Sequence, residues 1–277
     1  MHQRTAIVIA AAWMLAAASL AEEQKAKGKL TRLGKLPAEI VESSGLTRGP
    51  AAGTFITHND SQSARRPMLY LIRENGELVR RLEVPAGKQR DWEAVAVDDR
   101  GRVYVCDCGN NASDRRDLVI YRLDLKKPDK SGAIAFVYPD QREFPPKDKQ
   151  QCFDVEAVIC LDQHLYLFTK DRPRGRASKV YRLKADGPNR QTAELLGELE
   201  VDGAVTDAAV SPKGDLLVLL GREKLFLSPL KKGDLLGARF EKHKLDGAGQ
   251  TEGVTFLDDA RLLITNEQGD VFRYDLP

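Results

Sequence analysis

Residues 91–97 read Asp91-Trp92-Glu93-Ala94-Val95-Ala96-Val97, and after Asp98-Asp99-Arg100-Gly101 the chain continues Arg102-Val103-Tyr104-Val105-Cys106-Asp107. Two short β-rich runs flank a turn-forming centre, which is the pattern of a hairpin. An acid, Glu93, opens the first run. The arrangement recurs with Glu42 in VESSGL, Glu156 in DVEAVIC, Asp207 in VTDAAVS and Glu252 in TEGVTF. These five acids are spaced about 45–63 residues apart, an interval that indicates propeller blades or a solenoid array.

Second strands are expected at 54–58, 102–106, 164–169, 215–220 and 261–265, and third strands around Tyr70, Tyr121, Tyr181, Phe226 and Phe272. Mirroring each acid about its turn pairs Glu93 with Asp107, Glu156 with Lys170, Asp207 with Gly221 and Glu252 with Asn266. Glu42 faces residues 58–60 across a looser turn at 49–53. A fourth strand follows in the first four repeats, but the fifth runs out at Pro277 after three. Residues 29–36 form a spare strand at the other end. The expected fold is therefore an all-β propeller of five four-stranded blades over residues 29–277. Its N-terminal strand completes the last blade, a closure that removes an exposed sheet edge.

Composition agrees with a globular domain: 277 residues, 42% hydrophobic and 30% charged. The 43 Lys+Arg against 41 Asp+Glu give no support to nucleic-acid or anionic-membrane binding. Residues 1–21 read as a secretory signal peptide. A basic start ends at Arg4, an uncharged apolar run covers 5–18, and Ser19-Leu20-Ala21 supplies the small residues of a cleavage site. That run is shorter than the roughly 20 residues of a membrane span. Residues 22–28 are expected to be a disordered lead, and the mature chain to be secreted or periplasmic with no transmembrane segment.

Export permits disulfides. Cys106, Cys108, Cys152 and Cys160 do not have zinc-ribbon or C-x-x-C spacing. Cys108 ends a second strand of one blade and Cys152 enters the next, so a Cys108–Cys152 bond joining blades two and three is expected. Cys152 and Cys160 lie at opposite ends of one strand, about 26 Å apart at 3.3 Å per residue, and cannot pair.

The first strand of each propeller blade lines the central channel, so the five acids should gather at one mouth. Carboxylates about 6 Å apart repel by roughly 3 kcal/mol per pair at an effective dielectric near 20. Two readings offset this cost. In one, the acids cap loop amides and lock blade to blade, with Lys170 and Arg222 balancing the charge. In the other, Glu93, Asp107, Glu156 and Glu252 hold a divalent cation, Ca²⁺ by the hardness of the oxygen donors. Glu42, His58, Asn110, Lys170, Asp207, Arg222 and Asn266 complete the expected ligand site.

The segment Asp91-Trp92-Glu93-Ala94-Val95-Ala96, with Asp107-Cys108-Gly109-Asn110-Asn111 and Arg115, resembles the DWED-IA … DIGNN … R signature of a family of secreted bacterial β-propellers. Residues 154–157, 169–171 and 205–212 resemble its later blades, so the likeness covers roughly 40–270. It departs at Cys108, where the pattern has an aliphatic residue, and at Gly221-Arg222. That family has no established activity to carry over. The blade starts also resemble those of calcium-dependent lactonase and esterase-like propellers. No nucleophile elbow, H-E-x-x-H, Walker loop or dinucleotide fingerprint is present. The expected function is a binding or scaffold propeller taking a small-molecule or protein ligand at its channel mouth. The alternative is a Ca²⁺-dependent hydrolase of ester or lactone type.

Overall fold

The computed structural model describes residues 27–60, 67–84, 88–127, 130–147, 151–171 and 175–277. The expected signal peptide and residues 22–26 of the lead lie outside the described residues. Regular structure among those described is all β, in five antiparallel four-stranded sheets arranged as a five-bladed propeller. No helix among them is long and apolar enough to cross a membrane.

Blade one comprises β2 (Ser43–Arg48), β3 (Thr54–Asn59), β4 (Met68–Arg73) and β5 (Leu78–Glu83). Blade two has β6 (Trp92–Val97), β7 (Arg102–Asp107), β8 (Val119–Asp124) and β9 (Gly132–Val137). In blade three, β10 (Val155–Leu161), β11 (His164–Thr169) and β12 (Ala177–Lys184) are followed by a short β13 (Arg190–Thr192) and then β14 (Glu194–Glu200). Blade four holds β15 (Val205–Val210), β16 (Leu216–Gly221), β17 (Lys224–Pro229) and β18 (Glu241–Lys244). Blade five is β19 (Thr251–Asp258), β20 (Arg261–Asn266), β21 (Asp270–Asp275) and β1 (Lys29–Lys35). β1 is antiparallel to β21, with Lys29 opposite Asp275 and Lys35 opposite Asp270, so the ring closes as the sequence implies.

Inner strands are buried on both faces because each blade is sandwiched between two others. They accordingly read as unbroken apolar runs, such as LYLF in β11 and LVLL in β16. Five apolar clusters fill the five blade interfaces. Trp92 is fully buried in one of them, edge-on to His58 at 5.8 Å and donating its indole N–H to the Lys88 carbonyl. Outer strands such as LVRRLE in β5 and EKHK in β18 carry charges that discourage edge-to-edge pairing. β9, GAIAFV, has no such charge. There β13 crosses from blade three and pairs with β9 in parallel, Arg190 opposite Ala135, adding a fifth strand.

One irregularity repeats in every blade. The ladder between first and second strands skips a residue near its start: Gly45, Glu93, Glu156, Thr206 and Glu252. These β-bulges correct the simple mirror pairing. Trp92, not Glu93, lies opposite Asp107; Thr251, not Glu252, lies opposite Asn266. Lys170 donates its N–H to the Asp154 carbonyl, two residues before Glu156. A bulged residue leaves the ladder and its side chain is re-aimed. Glu93, Glu156 and Glu252 therefore owe their position to an interruption of the hairpin, whereas in blades one and four the bulged residues are Gly45 and Thr206.

All four cysteines are free thiols, so the expected Cys108–Cys152 disulfide is not formed. Both residues belong to the core between blades two and three, as anticipated from their blade positions. The Cys108 thiol instead donates to the Val119 carbonyl at 3.5 Å. Lys179 lies beside Cys152, where its charge partly offsets the rise that burial imposes on the thiol's pKa.

Candidate functional site

At one mouth of the channel the bulges turn Glu93, Glu156 and Glu252 into a cavity of about 180 Å³, lined also by Glu42, Asp60 and Glu267. Among the described residues, six carboxyl groups thus face one ammonium, Lys170, and one guanidinium, Arg222. Ser44 and Asn111 complete the wall. Lys170 Nζ lies 2.8 Å from Glu156 Oε2, so the ion pair expected from the sequence is present. Arg222 is solvent-exposed at the rim.

Two groups of three carboxylates could each hold an ion, with ligand oxygens all within 4.8 Å of one another: Asp60, Asp91 and Glu93, and Glu93, Asp154 and Glu156. Oxygens bound to one Ca²⁺ at 2.3–2.6 Å can be separated by at most about 5 Å, so both triads meet that geometric limit. Glu93 belongs to both. Asp60 Oδ1 is buried without a hydrogen-bond partner among the described residues.

Electrostatics follow from burial and crowding. Desolvation, then the charges of Glu156 and Asp60, push Glu93 well above the usual carboxylate range. Burial and Asp154 do the same to Glu156, opposed by Lys170. Asp60 is raised to about 7 by burial, Asp91, Glu42 and Glu267. Glu252 is also raised to about 7, chiefly by burial, with Lys170 and Arg222 pulling it down and Glu267 pushing it up. Without a cation, this mouth holds protons at neutral pH that ordinary carboxylates would release.

Glu42, Glu93, Glu156, Glu252, Lys170 and Arg222 are thus brought together. The other expected residues sit elsewhere. Asp107 is buried against Arg115, 2.9 Å away, and accepts the backbone N–H groups of Arg90 and Asp91. Asn110 is consumed in the loop. Its N–H donates to Asp154 Oδ1 at 2.6 Å, its side chain donates to the Phe153 carbonyl, and its Oδ1 accepts the Arg115 N–H. Asn266 donates to the Ala248 carbonyl and accepts the Asp270 N–H. His58 is wholly buried behind the mouth, where desolvation lowers its pKa to about 4. Asp60, whose N–H donates to the Glu42 carbonyl at 2.9 Å, takes the mouth position opposite Glu42.

Asp207 sits deeper. Its Oδ2 accepts N–H groups from Leu46 in blade one at 3.1 Å and Val254 in blade five at 2.7 Å, while Oδ1 accepts its neighbour Ala208. Free edges of the inner strands face the channel, so their amides need partners that no neighbouring strand supplies. One carboxylate from blade four satisfies two of them and ties three blades together.

Asp91 and Asp154 were not among the expected site residues. Their signal was available: each stands two residues before a bulged glutamate, in Asp91-Trp92-Glu93 and Asp154-Val155-Glu156. Gly109 explains part of the resemblance motif. A Cβ there would lie 2.4 Å from Asp91 Cγ and 2.7 Å from Glu93 Oε1, so only glycine leaves these carboxylates in place.

The sequence matches no protein-family model and no curated protein. Among solved structures, a gluconolactonase from Xanthomonas campestris is similar in fold, at 17% identity and a TM-score of 0.52, with 90% of each chain covered. A second solved protein, described as a putative gluconolactonase, has 13% identity and a TM-score of 0.52, with 91% of this chain and 93% of that chain covered. At such identities the likeness establishes the β-propeller architecture.

Proposed function

We propose that this protein is an extracytoplasmic propeller that binds a divalent cation in its acidic mouth and, through it, a small polar ligand. The placement outside the cytoplasm rests on the leader-like residues 1–21. Glu93 carries the reading, because its bulged carboxylate is shared by two triads whose oxygens lie within 4.8 Å of one another. All donors are hard oxygens, which favours Ca²⁺. A cavity of about 180 Å³ is smaller than the roughly 300–1,000 Å³ of drug-sized sites. It suits a hydrated ion with a small polar molecule. Calcium titration by calorimetry should show saturable binding that Glu93→Gln abolishes. Ca²⁺ at 100 times its Kd should stabilise the fold by about 2.7 kcal/mol. Heat-free titrations, with melting curves unchanged between EDTA and Ca²⁺, would reject the site.

A second reading, hydrolysis of a lactone or ester, is favoured by the likeness to two gluconolactonase-type propellers and by Glu252. A cation at Glu93 would polarise a carbonyl oxygen. Glu252, outside both triads and with a pKa near 7, could transfer a proton at neutral pH. Metal-dependent turnover of a lactone panel, lost in Glu252→Gln while calcium binding persists, supports this reading. Absence of turnover by the calcium-loaded protein leaves the binding role alone.

A further inference from the structure

Glu93 belongs to two carboxylate triads whose surroundings differ in kind. In the triad of Glu93, Asp154 and Glu156 every residue is buried, and two of the three already serve protein donors. Asp154 Oδ1 accepts the Asn110 N–H at 2.6 Å, and Lys170 Nζ reaches Glu156 Oε2 at 2.8 Å. The Lys170 main chain is fixed as well, since its N–H donates to the Asp154 carbonyl at 2.8 Å. Such N–H donors satisfy carboxylates but cannot ligate a metal ion. Ca²⁺ takes about six to eight oxygens, and buried carboxylates already serving donors leave it short.

The triad of Asp60, Asp91 and Glu93 is built differently. Trp92 donates its N–H to the Asp60 carbonyl at 3.1 Å, which pins Asp60 of blade one beside the two acids that flank Trp92 in blade two. Glu93 is only 6% exposed, yet its carboxylate has no hydrogen-bond or ion-pair partner among the described residues. Asp60 Oδ1 is likewise buried without one. A carboxylate withdrawn from water without a partner is costly, and one divalent ion between these oxygens would serve both. Asp60 and Asp91 are half-buried, so the remaining coordination positions open towards water in the mouth.

We propose that the ion takes the Asp60–Asp91–Glu93 triad and that Lys170 stands in for a second ion in the other triad, limiting the mouth to one metal; this rests on the cation-binding role above. An ammonium and a divalent ion at one carboxylate repel each other, and both would claim Glu156. Being tethered to the same blade, Lys170 competes at high effective concentration. Glu93 is then left to give its oxygens to a single ion.

Calcium titration by calorimetry should give one ion per chain for the wild type. Asp60→Asn should weaken it about tenfold or more, and Asp154→Asn about threefold at most. Lys170→Met removes the ammonium and should admit a second ion, whereas Lys170→Arg should stay at one. Manganese in place of calcium adds a signature that a merely structural lysine would not move. Two Mn²⁺ ions sharing Glu93 couple magnetically, so an exchange-coupled resonance should appear in Lys170→Met and not in the wild type or Lys170→Arg. If Lys170→Met does not fold, the comparison of Asp60→Asn with Asp154→Asn decides alone. Two ions in the wild type, one ion in folded Lys170→Met, or a greater loss in Asp154→Asn than in Asp60→Asn would overturn the proposal while leaving the cation-binding role intact. A wild type that binds no ion removes both.

Discussion

Glu252 offers a measurable consequence of crowding acids at the channel mouth. Its pKa is raised from 4.5 to about 7, with burial as the largest cause. In that window the folded protein holds a proton that the unfolded chain has released. Stability from this group is therefore fully present below pH 4.5 and is lost as pH rises through 7. At about 1.36 kcal/mol per unit, the loss between pH 4.5 and 7.5 is about 3 kcal/mol. Glu252→Gln mimics the protonated carboxyl and removes the titration. Urea denaturation in EDTA, run on both proteins at both pH values, isolates the term as a double difference. Wild type should lose about 3 kcal/mol more than the variant. Parallel pH profiles, or a wild type that gains stability relative to the variant as pH rises, would refute the buried, proton-holding description of this carboxyl.

Asp207→Ala should destabilise by about 2–6 kcal/mol, because the Leu46 and Val254 N–H groups lose their acceptor in the channel; a denaturation midpoint within error of wild type would contradict its bridging role. Gly109→Ala should lower calcium affinity at least about tenfold by displacing Asp91 and Glu93, and calorimetry reads that loss directly. Thiol titration in denaturant should find four reactive cysteines per chain, matching the four free thiols; two would show that a disulfide forms after all.

Local pattern determined much of this protein. Turn residues such as Asp99-Arg100-Gly101, flanked by β-rich runs, define a hairpin using only neighbouring residues, and five repetitions at blade-like spacing specify the ring. The truncated fifth repeat and the spare strand at 29–36 even disclosed how the ring closes, since a propeller with a missing edge strand has one place to put a spare one. That Glu93, Glu156 and Glu252 converge was legible for the same reason. What each acid does was decided by tertiary structure. Side chains alternate every residue along a strand, so a single bulge at Glu93 separates it from Asp107, which turns instead to Arg115. Asp207 finds its amide partners 161 and 47 residues away, and no local pattern encodes them. The cysteines share one core yet remain thiols, because blade proximity brings them into a cluster without the geometry a disulfide demands. Period and turn chemistry act over a few residues and build blades, whereas the orientation of a carboxyl in a shared channel depends on every blade that reaches it.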